Sequence, residues 1–168
     1  MSAFADLVRG PTLVLAAITS GLQAGVYYGF AVGVMPGLAL GDARTFTAAM
    51  QQINVAIVNP WFLLTFLGAP ALAAAAAAVQ LGRGGAGLVW TVVGLGFALA
   101  TVVITAAINV PLNDALAAAG DADPARARTA FESTWVAWNG VRAVTSTAAL
   151  GCLAWAARVG VACRFKSA

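Results

Sequence analysis

The stretch GLVWTVVGLGFALATVVITAAINV, from Gly87 to Val110, contains no charged residue. It is close to the roughly 20 apolar residues that a helix needs to cross the hydrocarbon of a bilayer. Three other stretches are similar in length and predominantly apolar: Thr12–Val34, Trp61–Leu81 and Trp135–Ala157. We therefore predict an all-α fold, an integral-membrane four-helix bundle that forms one domain from residue 1 to residue 168.

The composition supports this prediction and excludes several function classes. Of the 168 residues, 61% are hydrophobic and only 9% are charged, whereas a soluble domain has about 25% charged residues. The chain has no histidine, so the usual ligand of zinc and haem is missing and we expect no metal site. The net charge of +3 comes mostly from the termini. It indicates membrane topology rather than nucleic-acid binding.

The connections between the predicted spans differ in length. Between the second and third spans, residues 82–85 (Gly-Arg-Gly-Gly) predict a tight turn. The first long connection begins at Met35-Pro36-Gly37, after which Asp42 can cap an amphipathic helix whose apolar positions recur at helical spacing: Phe46, Met50, Ile53 and Ile57. We expect Pro60 to kink this helix into the second span. The second long connection holds residues 109–114, and Asp123-Pro124 predicts the start of the last helix.

The basic residues predict the orientation in the membrane, because the cytoplasmic side carries an excess of Lys and Arg. With both termini on one side, that side carries Arg9, Arg83, Arg158, Arg164 and Lys166. The arginines of the opposite side are offset by acids: Arg44, Arg126 and Arg128 beside Asp42, Asp114, Asp121, Asp123 and Glu132. We therefore expect both termini to be cytoplasmic.

The first span carries two stripes. Glycine recurs every four residues at Gly21, Gly25, Gly29 and Gly33, a ridge on which another helix can pack closely. Thr19, Gln23 and Tyr27 lie roughly opposite and are expected to face the bundle interior. Small-residue faces also favour contacts between chains, so a homo-oligomer is compatible with this pattern.

Arg142 is the most informative residue of the fourth span. A charge inside an apolar helix costs about 2.5–3.5 kcal/mol on insertion scales, so Arg142 should face the interior and find an acceptor. Candidate acceptors are Asp114, Glu132 and the backbone carbonyls near Pro111. Alternatively, Arg142 is part of a structural ion pair or extends to the membrane interface.

Polar side chains from every part of the chain are expected at the non-cytoplasmic end of the bundle. They are Tyr27, Gln51, Asn54, Asn109, Asn113, Asp114, Glu132, Trp135, Asn139 and Arg142. The cytoplasmic end has only scattered arginines and the glycine turn. This asymmetry predicts a polar pocket between the helices that opens near the outer leaflet.

The same residues lie in motifs that follow one another along the chain. The motifs are Gly25 through Phe30, Met35-Pro36-Gly37-Leu38, Met50-Gln51-Gln52-Ile53-Asn54, Asn109-Val110-Pro111-Leu112-Asn113 and Trp135-x-x-Trp138-Asn139-x-x-Arg142. The set resembles the anthrone-oxygenase-like family of membrane proteins, many of whose members carry only an unknown-function label.

The resemblance implies the four-helix fold and an oxidoreductase activity. The family includes fungal enzymes that oxidise anthrones to anthraquinones in polyketide pathways without metal or flavin, and many bacterial members with no assigned reaction. We therefore expect a membrane-embedded oxygenase-like enzyme with no cofactor, whose substrate is a lipophilic aromatic molecule, anthrone-like or phenolic.

Residue chemistry then suggests roles for the polar set. Arg142 is the natural stabiliser of a substrate anion, and Trp135 can stack on the substrate. Asn109, Asn113 and Asn139 can hydrogen-bond to ring oxygens, and Asp114 or Glu132 can act as the base. The candidate substrate-binding residues are Gln51, Asn54, Tyr27, Met35, Trp138 and Glu132.

A non-catalytic membrane module is the alternative function: a lipid-binding, accessory or assembly subunit. The glycine ridge and the alanine run at residues 73–78 favour it. Under this interpretation the asparagines cap helix ends and Arg142 forms a structural ion pair.

Overall fold

The computed structural model describes residues 3–82 and 84–165, and all regular secondary structure in these ranges is helical. Arg83 and Lys166, two of the predicted orientation signals, lie outside them. The helices are α1 Ala3–Gly29, α2 Met35–Ala39, α3 Ala43–Ala56, α4 Pro60–Gln80, α5 Gly85–Ile104, α6 Val110–Ala119 and α7 Pro124–Phe165. Two π-helical segments, Phe30–Val34 and Thr105–Asn109, join α1 to α2 and α5 to α6.

Within the described residues, three continuous helical stretches are long and apolar enough to cross a membrane. They are Leu7–Ala39, Pro60–Gln80 and Gly85–Ala119, and they contain or closely match the first three predicted spans. The fourth predicted span lies inside α7, a helix of 42 residues. At 1.5 Å per residue α7 is about 63 Å long, twice the thickness of the hydrocarbon, so it extends well beyond a bilayer. That it crosses the membrane stays a prediction.

The four long helices pack side by side. α7 packs against α1 and α5, and α4 packs against the same two helices from the other side. Their common core is built largely of small residues: Leu13, Ala16, Ala73, Ala76, Leu153 and Ala156. Alanine lets helix backbones approach closely, and close approach holds helices together where surrounding lipid is as apolar as the core.

The helices continue through the two proline motifs, which we had expected to be connections. Pro36 and Pro111 each follow a π-helical segment by two residues. Proline has no N–H and its ring collides with the carbonyl four residues earlier, here that of Val32 or Ala107. Both carbonyls lie inside the π segments, where the bonding step is five residues, as in Met35 N–H to Phe30 O. The wider turn therefore lets the helix accommodate the proline.

A second apolar core lies where these extensions meet α3 and the start of α7. It contains Met35, Phe46, Met50, Leu116, Ala127, Phe131 and Trp135. Asp42 caps α3 as predicted, since its carboxylate accepts the Thr45 N–H at 2.7 Å. The prediction of an amphipathic α3 is thus confirmed in the buried positions Phe46 and Met50.

The expected kink at Pro60 is wrong, because α3 ends before it. Asn59 has an extended backbone, and its side-chain oxygen accepts the N–H groups of Trp61 and Phe62 at 3.1 Å each. Asn59 is therefore the N-cap of α4 and Pro60 its first residue, where the missing N–H costs nothing.

The polar stripe of α1 contacts the interior of the structure, whereas most of its glycine ridge contacts no other helix that the structure describes. Gln23 is buried and donates to the Thr65 hydroxyl at 2.7 Å, so the polar stripe faces the interior as expected. Gly21 meets Leu150, but a Cβ at Gly25, Gly29 or Gly33 would have nothing within 4 Å. The expectation that the ridge packs on another helix of this chain therefore holds at its first glycine alone.

The glycine-turn end of the structure also differs from expectation. It contains a buried polar network as well as scattered arginines. Arg9 Nε donates to Gln80 Oε1 at 3.2 Å, and Gln80 Nε2 donates to the Thr91 hydroxyl at 2.9 Å. The turn itself uses Gly84 and Gly85 with φ of 61° and 81°, angles that L-residues with side chains rarely adopt.

Gly94 provides a test of the packing between α5 and α7. A Cβ there would lie 2.9 Å from Cγ of Leu153 and 3.3 Å from Cβ of Cys152. We expect Gly94→Ala to destabilise the protein by about 1–3 kcal/mol through overpacking. Gly96→Ala is the matched control, because nothing lies within 4 Å of its Cβ position. Unfolding in detergent, followed by circular dichroism, measures both. Equal midpoints would contradict the described packing of α5 on α7.

Candidate functional site

A cavity of about 90 Å³ lies between the membrane-length part of the structure and the second apolar core. It is bounded by α1, the end of α3, the first turn of α4, the extended α5–α6 helix and α7. Its lining residues are Val26, Tyr27, Phe30, Ile53, Asn54, Ile57, Val58, Phe62, Thr105, Val110, Asn113, Trp135, Asn139 and Arg142. The predicted polar pocket therefore corresponds to a cavity between the helices, although not every predicted residue lines it.

Arg142 is the charged residue of this cavity and is only 5% exposed. Its Cζ atom lies 4.5 Å from the centre of the Tyr27 ring and 5.2 Å from that of Trp135. A guanidinium over aromatic faces is attracted by the negative charge of the π-systems, more strongly where water is excluded. None of the lining residues is acidic, so within its own cavity Arg142 is stabilised by ring faces and amide oxygen rather than by a carboxylate.

Asn139 connects Arg142 to the first helix. Its Oδ1 accepts Arg142 Nη2 at 3.0 Å, and its Nδ2 donates to the Tyr27 carbonyl at 2.9 Å. Asn139 is fully buried, so both bonds are formed away from water. The acceptor of Arg142 is thus a neutral amide one helical turn earlier on α7, and not one of the carboxylates or carbonyls that we had considered.

Trp135 has a fixed orientation. Its indole Nε1 donates to Asn113 Oδ1 at 2.9 Å, which joins α7 to α6. The rings of Phe30 and Phe131 lie 5.6 Å and 5.8 Å from that of Trp135. The indole therefore presents a preorganised aromatic wall beside Arg142.

Several polar atoms at this level of the structure are buried without a hydrogen-bond partner. They are the Tyr27 hydroxyl, Nε of Arg142, and both Nδ2 and Oδ1 of Asn109. The Tyr27 hydroxyl lies beside Thr105, but not in good hydrogen-bond geometry. Each buried unsatisfied group costs about 1–3 kcal/mol, and such groups are commonly satisfied by water or a ligand. Among the protein groups that the structure describes, these donors and acceptors therefore have no partner.

The structure brings together half of the predicted site residues in the cavity wall: Tyr27, Asn54, Asn113, Trp135, Asn139 and Arg142. Asn109 is completely buried in the π-helical segment, one turn from lining residues Thr105 and Asn113. The sequence motifs around Pro111 and in α7 therefore contained useful signals.

Other predicted site residues lie outside the cavity wall. Gln51 donates to the Leu116 carbonyl at 2.9 Å and ties α3 to α6. Met35 is buried in the second apolar core. Trp138 is partly buried and Asp114 is exposed on α6. A direct role at the cavity is therefore not supported for these four by their positions.

Glu132 also lies outside the wall, and its partner is Arg128. Arg128 Nε lies 2.6 Å from Glu132 Oε2, while its Nη1 and Nη2 donate to the carbonyls of Gly41 and Ala39. The hydrogen bond that Arg128 donates to Glu132 holds the pKa of Arg128 above its ordinary value. These hydrogen bonds hold the loop after α2 against α7, so Arg128 and Glu132 have a structural role.

Sequence reasoning did not assign the apolar half of the wall or Thr105. Phe30, Ile53, Ile57, Phe62 and Val110 line the cavity alongside the polar groups. Ile53 and Ile57 were assigned to the apolar face of α3, and Thr105 was given no role. An apolar residue looks the same in sequence whether it faces a core or a cavity, so no local signal identifies these positions.

The structure thus combines membrane-length helices with a cavity that holds a buried cation between aromatic side chains. The chain belongs to the anthrone oxygenase family, whose sequence model matches residues 59–152. That range includes Arg142, Asn139, Trp135 and Asn113 and excludes Tyr27 and Asn54. No curated protein and no solved structure matches the chain.

Asn139 provides a test of the site's construction. Asn139→Leu removes the bonds to Arg142 and to the Tyr27 carbonyl, and leaves a buried cation with fewer partners. We expect a loss of about 1–3 kcal/mol of stability, because buried groups then lose their hydrogen bonds. Ser133→Ala, at an exposed position of the same helix, is the control and should unfold like the parent protein. The described hydrogen bonds are refuted if the two variants unfold at the same denaturant concentration.

Proposed function

We propose that the protein is a membrane-embedded oxygenase that oxidises a lipophilic aromatic substrate, anthrone-like or phenolic, with neither metal nor flavin. The supporting observation is the buried cation Arg142 in a cavity with no acidic lining residue. Such a cavity favours an anionic ligand, because the anion supplies the counter-charge that the wall does not. The family match is consistent with this chemistry.

The proposed reaction begins with ionisation of the substrate. An anthrone and its enol share one anion, formed by loss of a proton from the ring methylene or from the enol hydroxyl. Arg142 lowers the free energy of that anion through its charge and through hydrogen bonding. Its Nε has no hydrogen-bond partner among the described residues, so this N–H is free to donate to the anion. Asp114 and Glu132 lie outside the wall, so in this proposal water is the proton acceptor.

Oxygen insertion then follows from the electron-rich anion. The anion transfers an electron to dioxygen, and the resulting radical pair forms a carbon–oxygen bond that takes up a proton as a hydroperoxide. Loss of water from the hydroperoxide leaves a carbonyl. One oxygen atom remains in the quinone and the other leaves as water, so dioxygen is the only oxidant that the reaction needs.

The other cavity residues support binding in this scheme. Trp135 and Tyr27 provide ring faces beside the cation, and Asn54 and Asn113 provide amide groups for ring oxygens. Asn139 is a positioning residue, since its side chain is committed to Arg142 and Tyr27.

We also propose a membrane arrangement for this enzyme: a single-domain four-span bundle with both termini in the cytoplasm. The exposed tryptophans support the spanning helices, because Trp61 lies at the cavity end of α4 and Trp90 and Trp155 lie toward the opposite end. Tryptophan is enriched at both interfaces of a membrane. The open glycines of α1 leave a face on which a second copy can pack.

Purified protein with an anthrone under air tests the proposal. We expect quinone formation, followed by absorbance, above the rate without protein. Arg142→Gln should lower kcat/KM by about 100-fold, corresponding to the loss of one main anion-stabilising group. Arg142→Lys keeps the charge but not the planar guanidinium, and should retain part of the rate.

Arg158→Gln is the matched control. Arg158 lies on the same helix and also over an aromatic ring, that of Trp155 at 5.0 Å, but away from the cavity. It should oxidise the anthrone at the parent rate. A folded Arg142→Gln protein with parental activity would refute the role of Arg142, and no oxidation by the parent protein would refute the function. Loss of folded Arg142→Gln protein favours the non-catalytic module.

A further inference from the structure

Two apolar lining residues of the cavity are exposed at the molecular surface. Val58 and Val110 both line the cavity and are 64% and 43% exposed, whereas the polar lining residues Arg142, Asn139 and Tyr27 are buried. Val58 lies in the connection between α3 and α4, and Val110 begins α6. The exposed part of the lining thus comes from two different segments of chain, and we take it as the opening of the cavity, whereas the cation lies in the buried part.

The rim of this opening is apolar. Val58 and Val110 carry no hydrogen-bonding side chain, and the lining residues beside Val58 are Ile57 and Phe62. The opening lies at the start of α4, the level of Trp61, which is 80% exposed. α4 has 21 residues, about the length that crosses the hydrocarbon, so its first residues mark the edge of the apolar layer.

The cavity is too small to enclose a whole fused-ring molecule. About 90 Å³ is less than the ~150 Å³ of an engineered cavity that holds one benzene molecule. The oxygenated edge of a ring can reach Arg142, but the remainder of a fused-ring molecule must lie in the opening.

We propose that the opening between Val58 and Val110 is a lateral portal, through which a lipophilic ring system reaches the cavity from the membrane. The two valines act as specificity-determining residues that limit ring width. The substrate class rests on the proposed function, whereas the route follows from the exposed apolar rim. A ligand in the bilayer thus meets an apolar surface first and the cation last.

Phenylalanine substitutions test the portal. Val58→Phe and Val110→Phe narrow it, Val58→Ala widens it, and Val55→Phe adds the same bulk at an exposed α3 position outside the cavity wall. Two measurements are made in lipid nanodiscs: oxidation of a three-ring anthrone, and quenching of tryptophan fluorescence by anthraquinone. Each variant is also made with the additional substitution Trp135→Phe. Subtracting the signal of that double variant gives the quenching of Trp135 alone.

We expect the two narrowing variants to lower kcat/KM for the anthrone at least tenfold and to slow quenching of Trp135 similarly. Val58→Ala should raise both, and Val55→Phe should change neither by more than twofold. If all three phenylalanine variants quench alike, the portal is refuted. If anthraquinone quenches Trp135 in the parent and not in the narrowed variants, but the parent oxidises no anthrone, the portal stands and the proposed oxygenase function does not.

Discussion

The buried guanidinium of Arg142 sets the main constraint on this structure. A cation inside an apolar helix must find a compensating environment, and here it is provided by two aromatic faces and one amide oxygen. These partners come from α1 and α7, so the helices must pack in one register for the charge to be tolerated. The same arrangement leaves Nε without a partner inside a cavity. One residue therefore links the packing of the helices to the anion binding that we propose.

Much of this could be read from the sequence. Apolar runs of about 20 residues predicted three membrane-length helices correctly, since length and hydropathy are local properties. The interior position of Arg142 followed from the cost of placing its charge in lipid. Asn139 lies three residues before Arg142, and this spacing places both side chains on the same face of the helix. The motif order was sufficient to indicate the family that the sequence model confirms.

The wrong predictions from the sequence have a common cause. Each concerns a feature that depends on tertiary contacts, which local sequence patterns do not specify. A proline motif looks like a helix end, yet the π-helical turns before Pro36 and Pro111 let both helices continue. Glu132 was a plausible partner for Arg142, but Arg128 lies one turn from it on the same helix and takes that position. A glycine ridge predicts a close contact but does not identify the partner helix. From Gly25 onward, nothing in the described part of the other helices lies within 4 Å of the position that a Cβ would take.

The most direct test of the account measures the surroundings of Arg142 in a bilayer. Solid-state NMR of protein labelled at arginine and tyrosine can detect contacts of the guanidinium carbon, assigned by its loss in Arg142→Lys. The account predicts cross-peaks between this carbon and the Tyr27 ring, which lie about 4.5 Å apart, with no dephasing by lipid phosphorus. Dephasing by headgroup phosphorus without cross-peaks to that ring would contradict it.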